Sequence, residues 1–154
     1  MDLIEKFITE SLYITESSLE EQWKYVKPIK SLALISKFEQ QFKCKLPGDY
    51  KSCVKKYNGG RPPKRVFDTS KTKEREMKTL LSFNPDDSEN IWSANDSMDE
   101  EFQRNYIAFA NDSAGNLICF KKSNKLVVLW NHETDSIEAV ASNFSGFIKS
   151  LYDA

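Results

Sequence analysis

The residues that could carry acid–base or metal chemistry are few in this chain. His132 is the sole histidine and stands at the end of the run LVVLWNHE, whereas enzymes usually combine two or more polarised groups. The pair His132-Glu133 also lacks the HExxH spacing by which zinc peptidases hold a metal on one helix face. The sequence therefore favours a histidine in a turn after a strand, and we predict that the protein is not an enzyme.

The thiols and glycines offer no stronger site. Cys44, Cys53 and Cys119 are an odd number of cysteines without metal-type spacing, so we expect reduced, mostly buried thiols with neither a disulfide nor zinc. With a single histidine they make only a weak case for a Cys–His hydrolase. Five glycines are spread over the chain and form neither the GxGxxG nor the GxxxxGK pattern that cradles phosphates. We expect no metal and no cofactor.

The charges, by contrast, are strongly segregated, although the net charge is only −1. From Lys43 to Lys78 there are twelve Lys and Arg against four acids. From Asn84 to Glu101 there are seven acids and no Lys or Arg. Such asymmetry fits a charged partner, but solvated faces that neutralise each other across the fold are an open alternative. The basic block has few aromatics for stacking bases, so nucleic-acid binding is not favoured.

Length and composition indicate one ordinary globular domain. A chain of 154 residues with 40% hydrophobic and 29% charged residues can bury one core and keep a soluble surface. Its longest apolar runs are far shorter than the roughly 20 residues that cross a bilayer. The first residues, MDLIEKFITE, mix acids into an apolar pattern, unlike a signal peptide. We expect one domain over residues 1–154, located in the cytoplasm and not in a membrane.

Helical spacing of apolar residues predicts three helices in the N-terminal part of the chain. The first begins after Asp2 and has an apolar face of Leu3, Ile4, Phe7, Ile8 and Leu12. The second begins at Pro28, whose missing N–H suits a first turn, and runs to Phe42. The third has Pro47 in its first turn and ends at residues 58–60, Asn-Gly-Gly.

Glu39 lies on or beside the apolar stripe of the second predicted helix. A half-buried carboxylate needs donors, and free N–H groups at the start of the helix that begins at Pro47 could supply them. A carboxylate that merely borders the stripe in water is an equally open interpretation.

The rest of the chain predicts an antiparallel sheet. Residues 61–75 predict an irregular basic excursion around a short strand at Arg65 to Phe67. A further strand is expected from Met77 to Phe83, and the acidic stretch can hold one or two short helices. From Asn105 the runs YIAFA, NLICF, KLVVLW and SIEAVA are separated by brief turn sequences, which is typical of antiparallel neighbours covered on much of both faces.

A last helix completes the predicted fold. Ser142 or Asn143 can cap it, and Phe144 and Phe147 begin its apolar stripe. The predicted class is α+β, a single domain in which a mostly antiparallel sheet, with a C-terminal meander, packs with several helices.

Several short motifs follow one another in a specific order along these elements. They are Glu39 on its helix; Leu46, Pro47, Asp49 and Tyr50; Asn58, Gly59 and Gly60; Ala110, Asn111 and Asp112 with Gly115 and Asn116; Trp130 to Glu133; and Phe144 with Phe147. In this order the chain resembles the SUKH superfamily, which includes bacterial toxin-immunity proteins and the fungal regulator of cell-wall glucan synthesis. The resemblance covers about residues 28–152.

The resemblance implies an α+β fold and a non-catalytic protein that binds and neutralises a polymorphic toxin, often a nuclease. The motifs themselves start and end helices and shape a hairpin loop, so we expect them to build the scaffold rather than the interface. One alternative is an intracellular regulatory scaffold that binds a host protein, and a weaker alternative is a nucleic-acid-binding domain.

The acidic stretch is the interface that the sequence favours. Acidic side chains would pair with the basic groove of a nuclease, and an exposed aromatic side chain makes a good binding hot spot. The predicted partner-binding residues are Asp86, Asp87, Glu89, Ile91, Trp92, Asp96, Asp99 and Glu100. For Trp92 two interpretations stay open, an exposed anchor for the partner or a core residue on a short helix.

Overall fold

The structure, a computed structural model, describes residues 22–153. Its helices are α1 (Ala33–Phe42), α2 (Gly48–Tyr57), α3 (Ile91–Asp96), α4 (Glu100–Asn105) and α5 (Phe144–Ser150). Its strands are β1 (Val66–Phe67), β2 (Arg75–Leu80), β3 (Tyr106–Asp112), β4 (Leu117–Lys121), β5 (Val127–Asn131) and β6 (Ser136–Ala141). The helix expected near Leu3 lies outside the described residues.

The strands form one six-stranded sheet in the order of the chain, β1 to β6, with every neighbouring pair antiparallel. Short links of four or five residues join β3 to β4, β4 to β5 and β5 to β6, whereas the β2–β3 link carries α3 and α4. In the β3–β4 turn, Gly115 has a φ of +88°, and Asp112 Oδ1 accepts the N–H groups of Ala114 and Asn116 at 3.0 and 2.8 Å. The predicted α+β class with a largely antiparallel C-terminal meander is confirmed.

The core covers much of both faces of the sheet, because consecutive residues of the central strands, such as Phe109 and Ala110, are buried, and aromatic rings fill its centre. Tyr50 from α2 packs edge-on against Phe109, Phe120 and Phe144 at centroid distances of 5.3 to 5.5 Å. Phe109 and Phe120, on the neighbouring strands β3 and β4, stack at 4.1 Å. Phe147 is fully buried, and Asn143 Oδ1 caps α5 by accepting the N–H of Gly146 at 2.8 Å. The final helix and its cap are thus confirmed.

The first described helix begins later than predicted, at Ala33 rather than Pro28. The reason is a long-range contact. Asn84 Nδ2 donates to the carbonyl oxygen of Pro28 at 3.0 Å, and Asn84 Oδ1 accepts the N–H of Lys30 at 2.9 Å. These bonds hold residues 28–30 out of the helix, so a proline that suits a helix start is used in an extended segment instead. Likewise, Pro47 lies at the N-cap of α2 and not in its first turn.

Glu39 is half-buried, with 18% of its side chain exposed. Its Oε2 accepts the N–H of Leu46 at 2.8 Å and the Nζ of Lys51 at 3.1 Å. The expectation that donors near the start of α2 hold this carboxylate is confirmed, although the backbone donor lies two residues before the helix. Glu39 therefore links α1, the connecting loop and α2.

Candidate partner-binding surface

A hydrogen-bond network fixes the start of the acidic stretch against the end of α2. Asn58 Nδ2 donates to Ser82 Oγ at 2.9 Å, and Asn58 Oδ1 accepts the N–H of Phe83 at 2.9 Å. Ser82 Oγ donates in turn to Asp87 Oδ2 at 2.6 Å, and Asn84 Nδ2 donates to the same oxygen at 3.2 Å. The carboxylate of Asp87 is thus bound within the protein and is not a free contact for a partner.

Two more predicted acids are paired with lysines. Glu89 Oε2 accepts Lys78 Nζ at 2.7 Å and Asn111 Nδ2 at 2.9 Å. Burial by itself would raise the pKa of Glu89, but these donors hold it below its usual value. Asp86 is exposed and accepts Lys30 Nζ at 2.7 Å, and this hydrogen bond lowers the pKa of Asp86. The proximal half of the acidic stretch therefore carries little unpaired charge.

The distal half of the stretch is different. Asp96 and Glu100 are exposed, and no ion pair among residues 22–153 reaches either carboxylate. Asp99 caps α4, because its Oδ1 accepts the N–H of Phe102 at 2.8 Å. The free negative charge of the predicted surface therefore concentrates between the end of α3 and the start of α4.

Trp92 is half-buried at the start of α3. Its Nε1–H donates to the carbonyl oxygen of Phe83 at 2.8 Å. Its ring packs edge-on against Phe38 at 5.3 Å and lies tilted against Phe42 at 6.4 Å. The side chain combines features of both interpretations, since it is anchored in the core on one side and open on the other.

An open groove of about 700 Å³ meets the free side of Trp92. It runs between α1 and the start of the acidic stretch and is lined by Leu34, Lys37, Gln40, Gln41, Pro85 and Trp92. Ile91, which the sequence placed on the surface, has no exposed area and so cannot contact a partner. Adjacent residues of a helix point in different directions, so Ile91 faces the core while its neighbour Trp92 lines the groove.

A second surface with aromatic and acidic residues was missed by the sequence. Phe102 stacks on Tyr106 at 4.8 Å and meets Trp130 edge-on at 6.2 Å. Phe102 lies in α4 and Tyr106 is the first residue of β3, so the change from helix to strand between them brings their rings together. Trp130 comes to them only through the folded sheet.

The groups that could perform chemistry are held in unreactive settings. His132 is exposed, and its Nδ1 lies 2.6 Å from Asn116 Oδ1, an amide rather than a carboxylate that could polarise the ring. Burial raises the pKa of Cys44 to about 11 and that of Cys53 to about 12, and it also raises the pKa of Cys119. At neutral pH these thiols are protonated and weakly nucleophilic.

Other functional features are also limited in the described part of the chain. Within residues 22–153, no group of three or more His, Cys, Asp or Glu is placed to hold a metal ion. Among the helices of the same residues, none is long and apolar enough to span a membrane.

Comparison with known proteins identifies the family. The family model described as SMI1 / KNR4 family (SUKH-1) matches residues 31–150. The chain belongs to the SMI1/KNR4 (SUKH-1) family. The predicted SUKH resemblance is confirmed, and members of this family are generally non-catalytic. The SPbeta prophage-derived uncharacterized protein YokK of Bacillus subtilis (strain 168) is 25% identical to this chain over 146 residues, covering 77% of this chain and 73% of YokK.

The motifs of this SUKH-1 chain build its scaffold. Tyr50 lies in the centre of the core. Asn58 joins α2 to the loop after β2. Asp112 Oδ2 accepts Asn116 Nδ2 at 2.9 Å, and Asn116 in turn contacts His132. The groove at Trp92 is lined by residues outside these motifs. The motifs by which the chain resembles its family therefore serve the fold, and none of them lines the groove at Trp92.

Proposed function

We propose that this SUKH-1 protein is an immunity protein that binds and neutralises a protein toxin without catalysis. The observation that carries the proposal is the half-buried Trp92, which is fixed by its bond to the carbonyl oxygen of Phe83 and presents its free side to an open groove. An aromatic side chain that is already ordered loses little conformational freedom on binding, which is a property of hot-spot residues.

The surroundings of Trp92 support a protein partner rather than a small molecule. The groove is open, and its wall from α1 offers two amide side chains, Gln40 and Gln41, and one cation, Lys37. Leu34 and Pro85 add apolar area beside the indole. An apolar centre within a polar rim is the usual anatomy of a protein–protein interface.

The acids of the predicted surface would act on the approach of the toxin. Asp96 follows Trp92 by four residues, about one helical turn, so its exposed carboxylate lies on the same side of α3 as Trp92. Glu100 and Asp99 continue the charge at the start of α4. Exposed carboxylates without lysine partners raise the rate of encounter with a basic surface, such as the nucleic-acid groove of a nuclease toxin. That the toxin is a nuclease is therefore part of the proposal.

Co-expression with a candidate toxin tests this function. The candidate to test is a large secreted-type toxin whose gene lies directly upstream, where the gene neighbourhood contains one. We expect cells that produce its toxic domain to survive when the wild-type chain is present, and to lose protection with Trp92→Ala. Asp153→Asn, an exposed change away from the groove, is the matched control and should protect fully.

Two results would contradict the proposal. Equal killing with and without the wild-type chain, when the chain is folded and abundant, would exclude immunity against that toxin. Absence of any toxin gene beside the gene, together with a stable complex with a host protein, would favour the regulatory scaffold.

A further inference from the structure

The second aromatic surface lies between α4 and the last strands of the sheet. The register of the sheet places Trp130 opposite Leu117 on one side and Ile137 on the other. All three are half-buried, as are Phe102 and Tyr106, which pack against the edge of this row. The outcome is a shallow groove with a continuous floor of apolar and aromatic side chains, separate from the groove at Trp92.

The charged residues that line this groove are all acids. They are Asp99, Glu101 and Asp135, each of them exposed. The groove at Trp92 has the opposite character, since its one charged lining residue is Lys37. This second groove therefore combines aromatic and acidic side chains at α4 and the β5–β6 turn, and of the residues predicted from the sequence only Asp99 lines it.

Two of the three carboxylates are held in place by the fold. Asp99 Oδ1 accepts the N–H of Phe102 at 2.8 Å as the N-cap of α4. Asp135, at a φ of 50° in the β5–β6 turn, accepts the indole N–H of Trp130 on its Oδ1 at 2.9 Å. No hydrogen bond from a described residue reaches Oδ2 of either side chain. Each aspartate thus keeps one fixed acceptor for an incoming donor.

We propose that this groove binds a basic segment of a protein partner through its arginine and lysine side chains. The alkyl stem of such a side chain packs on apolar surface while its charged end stays at the polar rim. A cation over the face of Trp130 is attracted by the ring, and the carboxylates accept its N–H donors. The acids repel nucleic acid and anionic lipid surfaces, so the charge pattern selects a basic protein segment. The proposal does not require the groove at Trp92 to bind a toxin.

The three tryptophans provide an internal test. Each gives one indole N–H signal in a ¹H–¹⁵N NMR spectrum, and Trp→Phe variants assign the three signals. The full chain is titrated with a short peptide that alternates Arg and Lys with Gly and Ser. The control peptide has Glu at every Arg and Lys position. We expect the Arg/Lys peptide to move the Trp130 signal in a saturable way and to leave the signals of Trp23 and Trp92 in place.

Isosteric variants test the role of the carboxylates. Asp99→Asn keeps a side chain that caps helices well, and Asp135→Asn keeps one that tolerates a positive φ. Together they should weaken peptide binding about tenfold with no loss of the fold, because they remove charge and retain shape. Asp153→Asn, the matched control outside the groove, should leave the affinity unchanged. Binding by the wild type should also weaken at high salt.

Several outcomes would overturn the proposal. It fails if the Trp130 signal does not respond, if all three signals move together, or if the Glu peptide has the same effect. It also fails if the paired Asn variant binds the Arg/Lys peptide as tightly as the wild type. A Trp130 signal that moves with protein concentration in the absence of peptide would instead assign the groove to a second copy of the chain.

Discussion

The indole N–H of Trp92 and the carbonyl oxygen of Phe83 form a 2.8 Å hydrogen bond that ties α3 to the loop after β2. Because Trp92 both makes this bond and lines the groove, one residue contributes both to stability and to the proposed interface. The two roles can be separated by comparing two substitutions.

Trp92→Ala should lower the free energy of unfolding by about 2 to 3 kcal/mol, below the range for a fully buried tryptophan because one side of the ring is open. Trp92→Phe should cost only about 1 kcal/mol, since it keeps the ring contact with Phe38 and leaves one carbonyl oxygen without its donor. Chemical denaturation measures both values. A loss below about 0.5 kcal/mol for Trp92→Ala would mean that the side chain is a free surface group.

Tyr50→Phe should leave stability unchanged or raise it by up to about 1 kcal/mol. The Tyr50 hydroxyl is buried with no hydrogen-bond partner among the described residues, and burial raises its pKa well above the usual value. Replacing an unsatisfied buried hydroxyl by hydrogen removes a desolvation cost.

Phe147→Ala serves as the comparison for Tyr50→Phe, because it truncates a fully buried ring in the same core. It should cost about 3 to 5 kcal/mol. Thermal or urea unfolding of the two variants measures both changes in the free energy of unfolding. A loss above about 1 kcal/mol for Tyr50→Phe would show that the hydroxyl has a partner after all, such as a buried water molecule.

Much of the fold could be predicted because its signals are local. Apolar runs and turn residues identified the meander, and the spacing of Phe144 and Phe147 identified the last helix. The predicted start of α1 was wrong because Asn84, more than fifty positions away along the chain, forms hydrogen bonds with the segment around Pro28. No local pattern contains a contact of that kind.

The candidate site was harder to predict for the same reason. The sequence counted seven acids as one surface, but pairing with Lys78 and Lys30 and the internal bonds of Asp87 divide it in two. Trp130 joins the distal acids only because the register of the sheet brings β5 beside α4. Charge counts along a chain cannot distinguish a paired carboxylate from a free one.

Glu138→Gln should make the protein less sensitive to acid. Glu138 is 2% exposed and accepts hydrogen bonds from Thr69 Oγ1 at 2.6 Å and Thr72 Oγ1 at 2.8 Å. Burial by itself would raise the pKa of Glu138, but these donors, with Asn131 and the charge of Arg75, hold it below the usual value of 4.5. Its ionised form is therefore stabilised by folding.

The direction of the pH effect follows from that lowered pKa. The contribution of Glu138 is fully present above pH 4.5 and disappears as the pH falls through its folded pKa, because the unfolded chain takes up the proton first. We expect Glu138→Gln to cost about 1 to 2 kcal/mol near neutral pH and progressively less in acid. Urea unfolding at several pH values measures the difference in free energy of unfolding between the wild type and Glu138→Gln. The control is Glu133→Gln, which changes an exposed turn residue. A difference in free energy of unfolding that stays the same at every pH would contradict the prediction.

Charge reversal at the distal acids should slow association with the proposed toxin partner while leaving the fold intact. Asp96 and Glu100 are exposed without ion-pair partners in the described residues, so Asp96→Lys with Glu100→Lys removes no internal contact. The cost in stability should stay within about 1 kcal/mol, including the loss of an acid in the first turn of α4. Asp87→Lys should differ, because it breaks the bonds to Ser82 and Asn84 and lowers the free energy of unfolding by about 2 kcal/mol or more.

Association and dissociation rates measured by stopped flow at several salt concentrations distinguish long-range electrostatic attraction from direct contact with the partner. Exposed charges act over a Debye length of about 8 Å at physiological ionic strength and about 3 Å at 1 M salt. The association rate of the distal variant should therefore be well below that of the wild type at low salt and close to it at 1 M salt, with the dissociation rate little changed. If the dissociation rate rises instead and the difference persists at 1 M salt, Asp96 and Glu100 are direct contacts. If neither rate changes, Asp96 and Glu100 take no part in binding.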